Sequence, residues 1–171
     1  VLSAQATDKS VNLATREVRS FSLDAERHDF YGHGLFLNGG DFFVTTEVNR
    51  ETKEGRIAVR RSDTLKIEET IPSYGKHPHD IRLLKSGTVL VIANHGFGYD
   101  EAKDQSSTVT FLELASRKLL HQTRIEEPGC FASHLEAVGE EEVLVACRRV
   151  SRKTDAEAER IRREMDNPKT R

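Results

Sequence analysis

Tryptophan is absent, methionine occurs once, and no apolar run approaches the ~20 residues that a membrane-spanning helix needs. Hydrophobic residues make up only 36% of the 171-residue chain against 32% charged, so any core must be concentrated in a few short apolar segments. Neither sign of charge is in excess. Twenty-six Lys and Arg stand against 28 Asp and Glu, a net charge of −2, which argues against a general nucleic-acid binder, since such a protein would show a basic stripe. A Gly-x-Ser-x-Gly elbow, a phosphate-cradling glycine loop and a Cys-x-x-Cys pair are all missing, so the commonest signatures of serine hydrolases, nucleotide sites and thiol redox centres do not apply. The only two cysteines, Cys130 and Cys147, flank a hairpin whose tip is near Glu140. Regular pairing sets Cys147 opposite Ser133, and a bond to Cys130 would need a shifted register. Two buried free thiols are therefore expected, and cysteine usage says little about compartment. No secretory signal is visible, but the chain opens on Val1-Leu2, as a processed or truncated product would.

What the sequence does contain is one pattern written three times. His79 opens a short apolar run, Lys85-Ser86-Gly87 turns the chain, and the β-branched run Thr88 to Ala93 returns it to Asn94. His33 opens Gly-Leu-Phe-Leu, Asn38-Gly39-Gly40 turns, and Asp41 to Glu47 returns. His134 opens Leu-Glu-Ala-Val, Gly139-Glu140-Glu141 turns, and Glu142 to Cys147 returns. Glycine at the turns supplies the positive φ that tight hairpins require. The copies lie 46 and 55 residues apart (33 to 79, 79 to 134), a spacing suited to propeller blades.

Between these hairpins fall further strand pairs, Arg56 to Arg60 with Leu65 to Ile71, and Thr108 to Leu114 with Leu119 to Ile125. Four strands per repeat, two apolar and two mixed, make the antiparallel blade of a β-propeller. The expected fold is all-β: a partial arc with blades at residues 32–71 and 76–125 and a hairpin at 133–147, preceded by outer strands within Asn12 to Leu23. Residues 151–171 carry seven Lys/Arg and five Asp/Glu; Thr154 with Glu157 forms a capping box, and Ala158, Ile161 and Met165 form a narrow stripe, so a charged helix or tail is expected. Closed propellers have at least four blades, and an open arc leaves unpaired edges. The chain is therefore expected to be a piece of a longer propeller, its partners being the remaining blades or another protein.

The first residues of each innermost strand lie at one mouth of a propeller's central channel. His33, His79 and His134 hold that place in three blades and should converge there. Three neutral imidazoles with an open position suit a transition metal such as zinc or copper. His77, Asp80 and His95 are the nearest supporting residues, with Asp80 able to orient a ligand ring. The competing reading is structural: each ring donates to the neighbouring blade's backbone and locks the stack. Glu47 and Asn94 end the second strands in equivalent places and are expected at the opposite rim from the histidines. His28 and His121 have no repeat partner and are expected to be exposed. A lactonase-like hydrolase, with His79, Asp80 and Glu47 around a metal or acting as a base, is the enzymatic alternative.

Several segments also resemble a known family. Phe30-Tyr31-Gly32-His33-Gly34, Thr46-Glu47-Val48-Asn49, Pro78-His79-Asp80-Ile81-Arg82-Leu83 and Val91-Ile92-Ala93-Asn94 are similar, in order, to the Phe-Tyr-Gly-His-Gly, Thr-Glu-Asn, Pro-His-Glu and Val-Ala-Asn-Gly-Gly motifs of the bacterial family known as domain of unknown function 1513. Ser133-His134-Leu135-Glu136-Ala137-Val138 resembles its Arg-His-Leu-Ala-Val segment. His95 stands where the family has Gly, Asp80 where it has Glu, and Ser133 where it has Arg. The resemblance spans Arg27 to Cys147. It implies a seven-bladed-like propeller, export to the periplasm and gene neighbourhoods with imelysin-type iron-uptake proteins, which adds iron to the candidate metals. It brings no established activity.

Overall fold

The structure, a computed structural model, describes residues 7–22, 27–96, 106–127 and 130–149. Strands β1 (Thr7–Val11) and β2 (Val18–Ser22) form a hairpin. Next, β3 (His28–Leu37), β4 (Phe42–Asn49), β5 (Glu54–Arg61) and β6 (Ile67–Lys76) form an antiparallel sheet in chain order. A second such sheet comprises β7 (Pro78–Leu84), β8 (Val89–Asn94), β9 (Thr108–Glu113) and β10 (Leu119–Arg124). The last element is a hairpin of β11 (Cys130–Val138) and β12 (Glu142–Arg149). The first strands lie side by side, β7 between β3 and β11. Meandering four-stranded sheets stacked in this way are propeller blades. The charged helix expected at 151–171 lies outside the described residues.

The turns form where glycine allows them. Short 3₁₀ turns span Asn38–Gly40 and Lys85–Gly87, and a third turn follows Val138 at Gly139, whose φ is 68°. The second turn uses more than its glycine. Lys85 (φ 51°) and Ser86 (φ 53°) join Gly87 (φ 90°) in the left-handed region, which L-residues with a Cβ adopt at a cost.

Strand β8 shows why the second strands lack a polar alternation, since all six of its residues are buried. Leu90 and Ile92 pack with Val44, Ile57, Val59 and Ile71 of the first blade. Val89, Val91 and Ala93 point the other way, to Ala132 and Leu135 of β11. A sheet sandwiched between two others buries both faces, so its central strand reads as an unbroken apolar run. The β1–β2 hairpin is tied to the first blade's outer turn by Arg19, whose guanidinium donates to the Asp63 and Ser62 carbonyls at 2.6 and 3.2 Å.

The cysteines correct the expectation of free thiols: Cys130 and Cys147 form a disulfide, with Cα atoms 5.3 Å apart. Near the tip of the third hairpin His134 pairs with Ala146, but beyond Ser133 the register moves by one and Ala132 pairs with Cys147. A one-residue slip exchanges the faces of a strand. Cys147 thereby comes to the face of Ala132 and Cys130 instead of that of Ser133.

Candidate metal centre

Each inner strand has a β-bulge where its histidine stands. In β3, Phe30 pairs with Glu47 and Gly34 with Thr45, so Tyr31, Gly32 and His33 face Thr46 alone. In β7, Pro78 pairs with Asn94 and Asp80 with Ala93, leaving His79 as the extra residue. In β11 the extra residue is Ser133, immediately before His134. Bulges bend the strand and re-aim the side chain beside them, which here turns three rings from three sheets toward one space.

Gly32 makes the first approach possible. A Cβ built on it would lie 1.9 Å from the His79 carbonyl oxygen, so only glycine lets β3 touch β7 at this level. The contact is sealed by the His79 ring, whose Nδ1–H donates to the Tyr31 carbonyl at 3.1 Å. That bond fixes the tautomer, and Nε2 keeps its lone pair.

The ring centroids of His33, His79 and His134 are 5.2, 5.1 and 5.3 Å apart, in edge-on pairs. One nitrogen from each lies within 4.8 Å of the others. His33 and His134 are exposed and His79 is half-buried, so the triangle opens to solvent. Burial above all, and then the neighbouring His33 and His134, hold the His79 pKa below its ordinary value and keep it neutral. Three imidazole rings at this separation, around one opening, are a ligand set for a borderline-soft divalent ion.

Around the triangle, the supporting residues take distinct parts. Asp80 is fully buried; its Oδ1 accepts from the Ile81 N–H at 2.8 Å and from the Arg82 guanidinium at 2.6 Å. Its Oδ2 accepts the Leu135 N–H at 2.9 Å and lies 3.8 Å from His134 Nδ1. His95 is buried and stacks on His79, with centroids 4.4 Å apart and planes 24° apart. Its pKa is pushed down to about 3, first by burial and then by His79, His77, His134 and Arg148. His77 is also buried, with its ring 4.8 Å from that of Tyr31. Neither His77 nor His95 joins the three-nitrogen cluster. Both stand behind it, gathered around Tyr31, which also meets His79 and His95 edge-on at 6.3 and 5.7 Å.

Two expectations need correction. Glu47 and Asn94 are at the same rim as the histidines, because antiparallel pairing sets the end of the second strand opposite the start of the first: Glu47 pairs with Phe30 and Asn94 with Pro78. Both side chains are spent inside their blades. Glu47 is buried between Arg56 and Arg60, each 2.6 Å away, and the Asn94 amide donates to Thr108 and Thr110. His121 is exposed, but His28 is half-buried.

Sequence reasoning assigned no part to Tyr31, Ser133 or Arg148. Only Tyr31 carried a signal, as the residue before the Gly-His pair that brings two blades together. Ser133 and Arg148 come to the site through the bulge and the pairing of β12.

The family described as "Protein of unknown function (DUF1513)" matches residues 7–162, and the chain belongs to it. No curated protein matches the sequence. Among solved structures, the chain is similar to the β-propeller domain of Cps50 (Swd1) from Myceliophteria thermophila, at 14% identity and TM-score 0.41, over 82% of this chain and 46% of that one. It is similar to hydrazine synthase from Kuenenia stuttgartiensis at 13% identity and TM-score 0.38, over 77% and 45%. It is also similar to the open-velcro β-propeller domain of the trilobed protease from Pyrococcus furiosus, at 14% identity and TM-score 0.44, over 82% and 44%. The chain thus spans less than half the length of these three.

Proposed function

We propose that this segment of a DUF1513 protein belongs to an exported, non-enzymatic propeller module that holds one transition-metal ion between His33, His79 and His134. The observation that carries the reading is the convergence of one nitrogen from each ring within 4.8 Å. Ligand nitrogens on one tetrahedral ion lie roughly 3–4 Å apart, given bonds of ~2.0–2.1 Å. Small χ rotations of the exposed His33 and His134 close that difference, and the Tyr31 carbonyl holds His79 in place as the anchor. Zinc, copper and iron are the candidate ions. The Cys130–Cys147 disulfide supports an oxidising compartment such as the periplasm, because thiols in the cytosol are kept reduced. The remaining blades, or another protein, complete the β12 edge and the rest of the channel.

A channel-mouth hydrolase is the weaker reading. Its form with a carboxylate base lacks a free one, because Asp80 is held by Arg82 and two backbone amides and Glu47 by two arginines. The test is metal content and affinity of the full-length protein by elemental analysis and calorimetry. One ion per chain is expected, with affinity falling at least roughly 100-fold in His79→Ala, on the scale of losing one of three ligands. Full affinity in that variant, or no ion taken up by the native protein, would refute the metal site. Lactone turnover lost with His79→Ala would restore the hydrolase.

A further inference from the structure

The two hairpins at the ends of the arc are different halves of a blade. β11–β12 is an inner pair, like β3–β4 and β7–β8, and among the described residues β12 pairs with β11 alone. β1–β2 is an outer pair, as its turn shows. There the Asn12 N–H donates to the Glu17 carbonyl and the Arg16 N–H to the Asn12 carbonyl. Arg61 makes the same two bonds with Lys66 and Leu65 at the β5–β6 turn, and Glu113 with Lys118 and Arg117 at the β9–β10 turn. The fifth residue of each turn, Arg16, Leu65 or Arg117, has a φ of 61°, 60° or 61°. β1 therefore stands as the third strand of a blade, and among the described residues it pairs with β2 alone.

We infer that a second copy of this chain supplies what each half lacks. β12 of one protomer pairs antiparallel with β1 of its partner, and the composite sheet β11–β12–β1–β2 is a blade. The inference names the partner left open above and does not depend on the metal ion.

Closure is the first argument. Two whole blades and two halves make three per chain, below the roughly four of the smallest closed propeller. Two copies make six, whereas three copies would make nine, above the usual upper count of roughly eight. Each protomer gives the β12 edge and takes one at β1, so a two-fold ring leaves neither edge open.

Register is the second. In both complete blades the first residue of the second strand opposes the residue that opens the outer turn: Phe42 pairs with Arg61 and Val89 with Glu113. The same rule sets Glu142 of one protomer opposite Asn12 of its partner, and Leu144 opposite Ser10.

Surface chemistry is the third. Val143 and Val145 already pack on the second blade. Leu144 and Val138 lie on the other face of the hairpin, 59% and 42% exposed, and their cross-strand partners are Glu136 and Glu142. At the opposite end of the arc Phe36 is 62% exposed. With Phe43, Leu65, Lys9 and Arg19 it lines a crevice of about 420 Å³ between β1 and the first blade, the space that an inner pair joined to β1 would enter. Lys9 donates to a hydroxyl and Arg19 to two carbonyls, all neutral, and among the described residues no carboxylate lines the crevice. Two apolar side chains flanked by carboxylates thus meet an apolar wall flanked by cations.

The experiment measures the mass of the purified chain by sedimentation across a wide concentration range, with a chelator present so that metal plays no part. A dimer is expected. Leu144→Glu should raise its dissociation constant roughly tenfold or more, on the scale of burying one leucine side chain, while circular dichroism keeps its β-sheet signature. Cross-linking reads the register independently of that variant. Chains carrying Leu144→Cys, mixed with chains carrying Ser10→Cys and mildly oxidised, should join through an intermolecular disulfide. Chains carrying Val143→Cys should not join those with Ser10→Cys, because the two positions fall on opposite faces of the composite sheet. A monomer at every concentration, an open-ended assembly, or a dimer that does not cross-link in this register overturns the inference and leaves the metal reading standing. A dimer cross-linked as expected that takes up no metal ion supports the inference and refutes the metal site.

Discussion

The Asp80 carboxylate reaches from β7 to β11 and accepts the Leu135 backbone N–H at 2.9 Å. Asp80 follows His79 and Leu135 follows His134, so this one bond sets the spacing of two of the three converging rings. It also closes a chain of contacts around the mouth: Gly32 against His79, His79 to Tyr31, Asp80 to Leu135. The triangle is thus built from links between neighbouring blades as much as from the histidines.

Asp80→Ala leaves the Leu135 and Ile81 amides and the Arg82 cation without their shared acceptor. Unpaired buried donors cost about 1–3 kcal/mol each, so a loss of about 2–4 kcal/mol in unfolding free energy is expected. Urea unfolding measures it. An unchanged midpoint would show that Asp80 is not the strut between blades.

Gly32→Ala tests the close approach. Its methyl would fall on the His79 carbonyl, and β3 must retreat from β7. Overpacking of this kind costs about 1–3 kcal/mol and should also pull His33 away from His79 and weaken metal binding. Gly39→Ala, with nothing near its Cβ but a φ of 66°, should lower stability without touching metal affinity. Equal effects of the two on metal binding would sink the argument.

Removing the disulfide, by reduction or by Cys130→Ser with Cys147→Ser, opens a cross-link between residues 17 apart. Loop-closure entropy puts the loss at about 3 kcal/mol, to be read as a lower denaturation midpoint in reducing buffer. A midpoint indifferent to reductant would mean that the bulge alone holds the β11–β12 register.

Acid should destabilise this fold through His95. The ring titrates near 6.5 when unfolded, whereas burial, with help from His79, His77, His134 and Arg148, pushes its folded pKa down to about 3. Below pH 6.5 the unfolded chain therefore binds a proton that the folded chain refuses. The contribution is fully present above pH 6.5 and is lost as pH falls toward 3, at up to about 1.4 kcal/mol per pH unit from this one group. His79 acts in the same direction. Unfolding free energies at pH 7, 6 and 5 should fall more steeply for the native protein than for His95→Gln, and equal slopes would refute the assignment.

The strands, the turns and the doubly buried character of β8 were legible because they depend on local facts: apolar runs of strand length, glycine where φ turns positive, and a repeat whose copies align. The same repeat sufficed to bring His33, His79 and His134 to one mouth, since equivalent positions in stacked blades are neighbours in space. What only the tertiary structure decided was register. A bulge adds one residue without disturbing the alternation on either side of it, so no periodicity marks the extra residue at His79 or Ser133. Yet that one residue exchanges the faces of β11, joins Cys130 to Cys147, and lets Ser133 and Arg148 line a cavity beside the histidines. Glu47 and Asn94 went astray for a related reason: the partner of a strand's last residue, and the blade-internal donors that claim its side chain, belong to the paired chain and not to the segment itself.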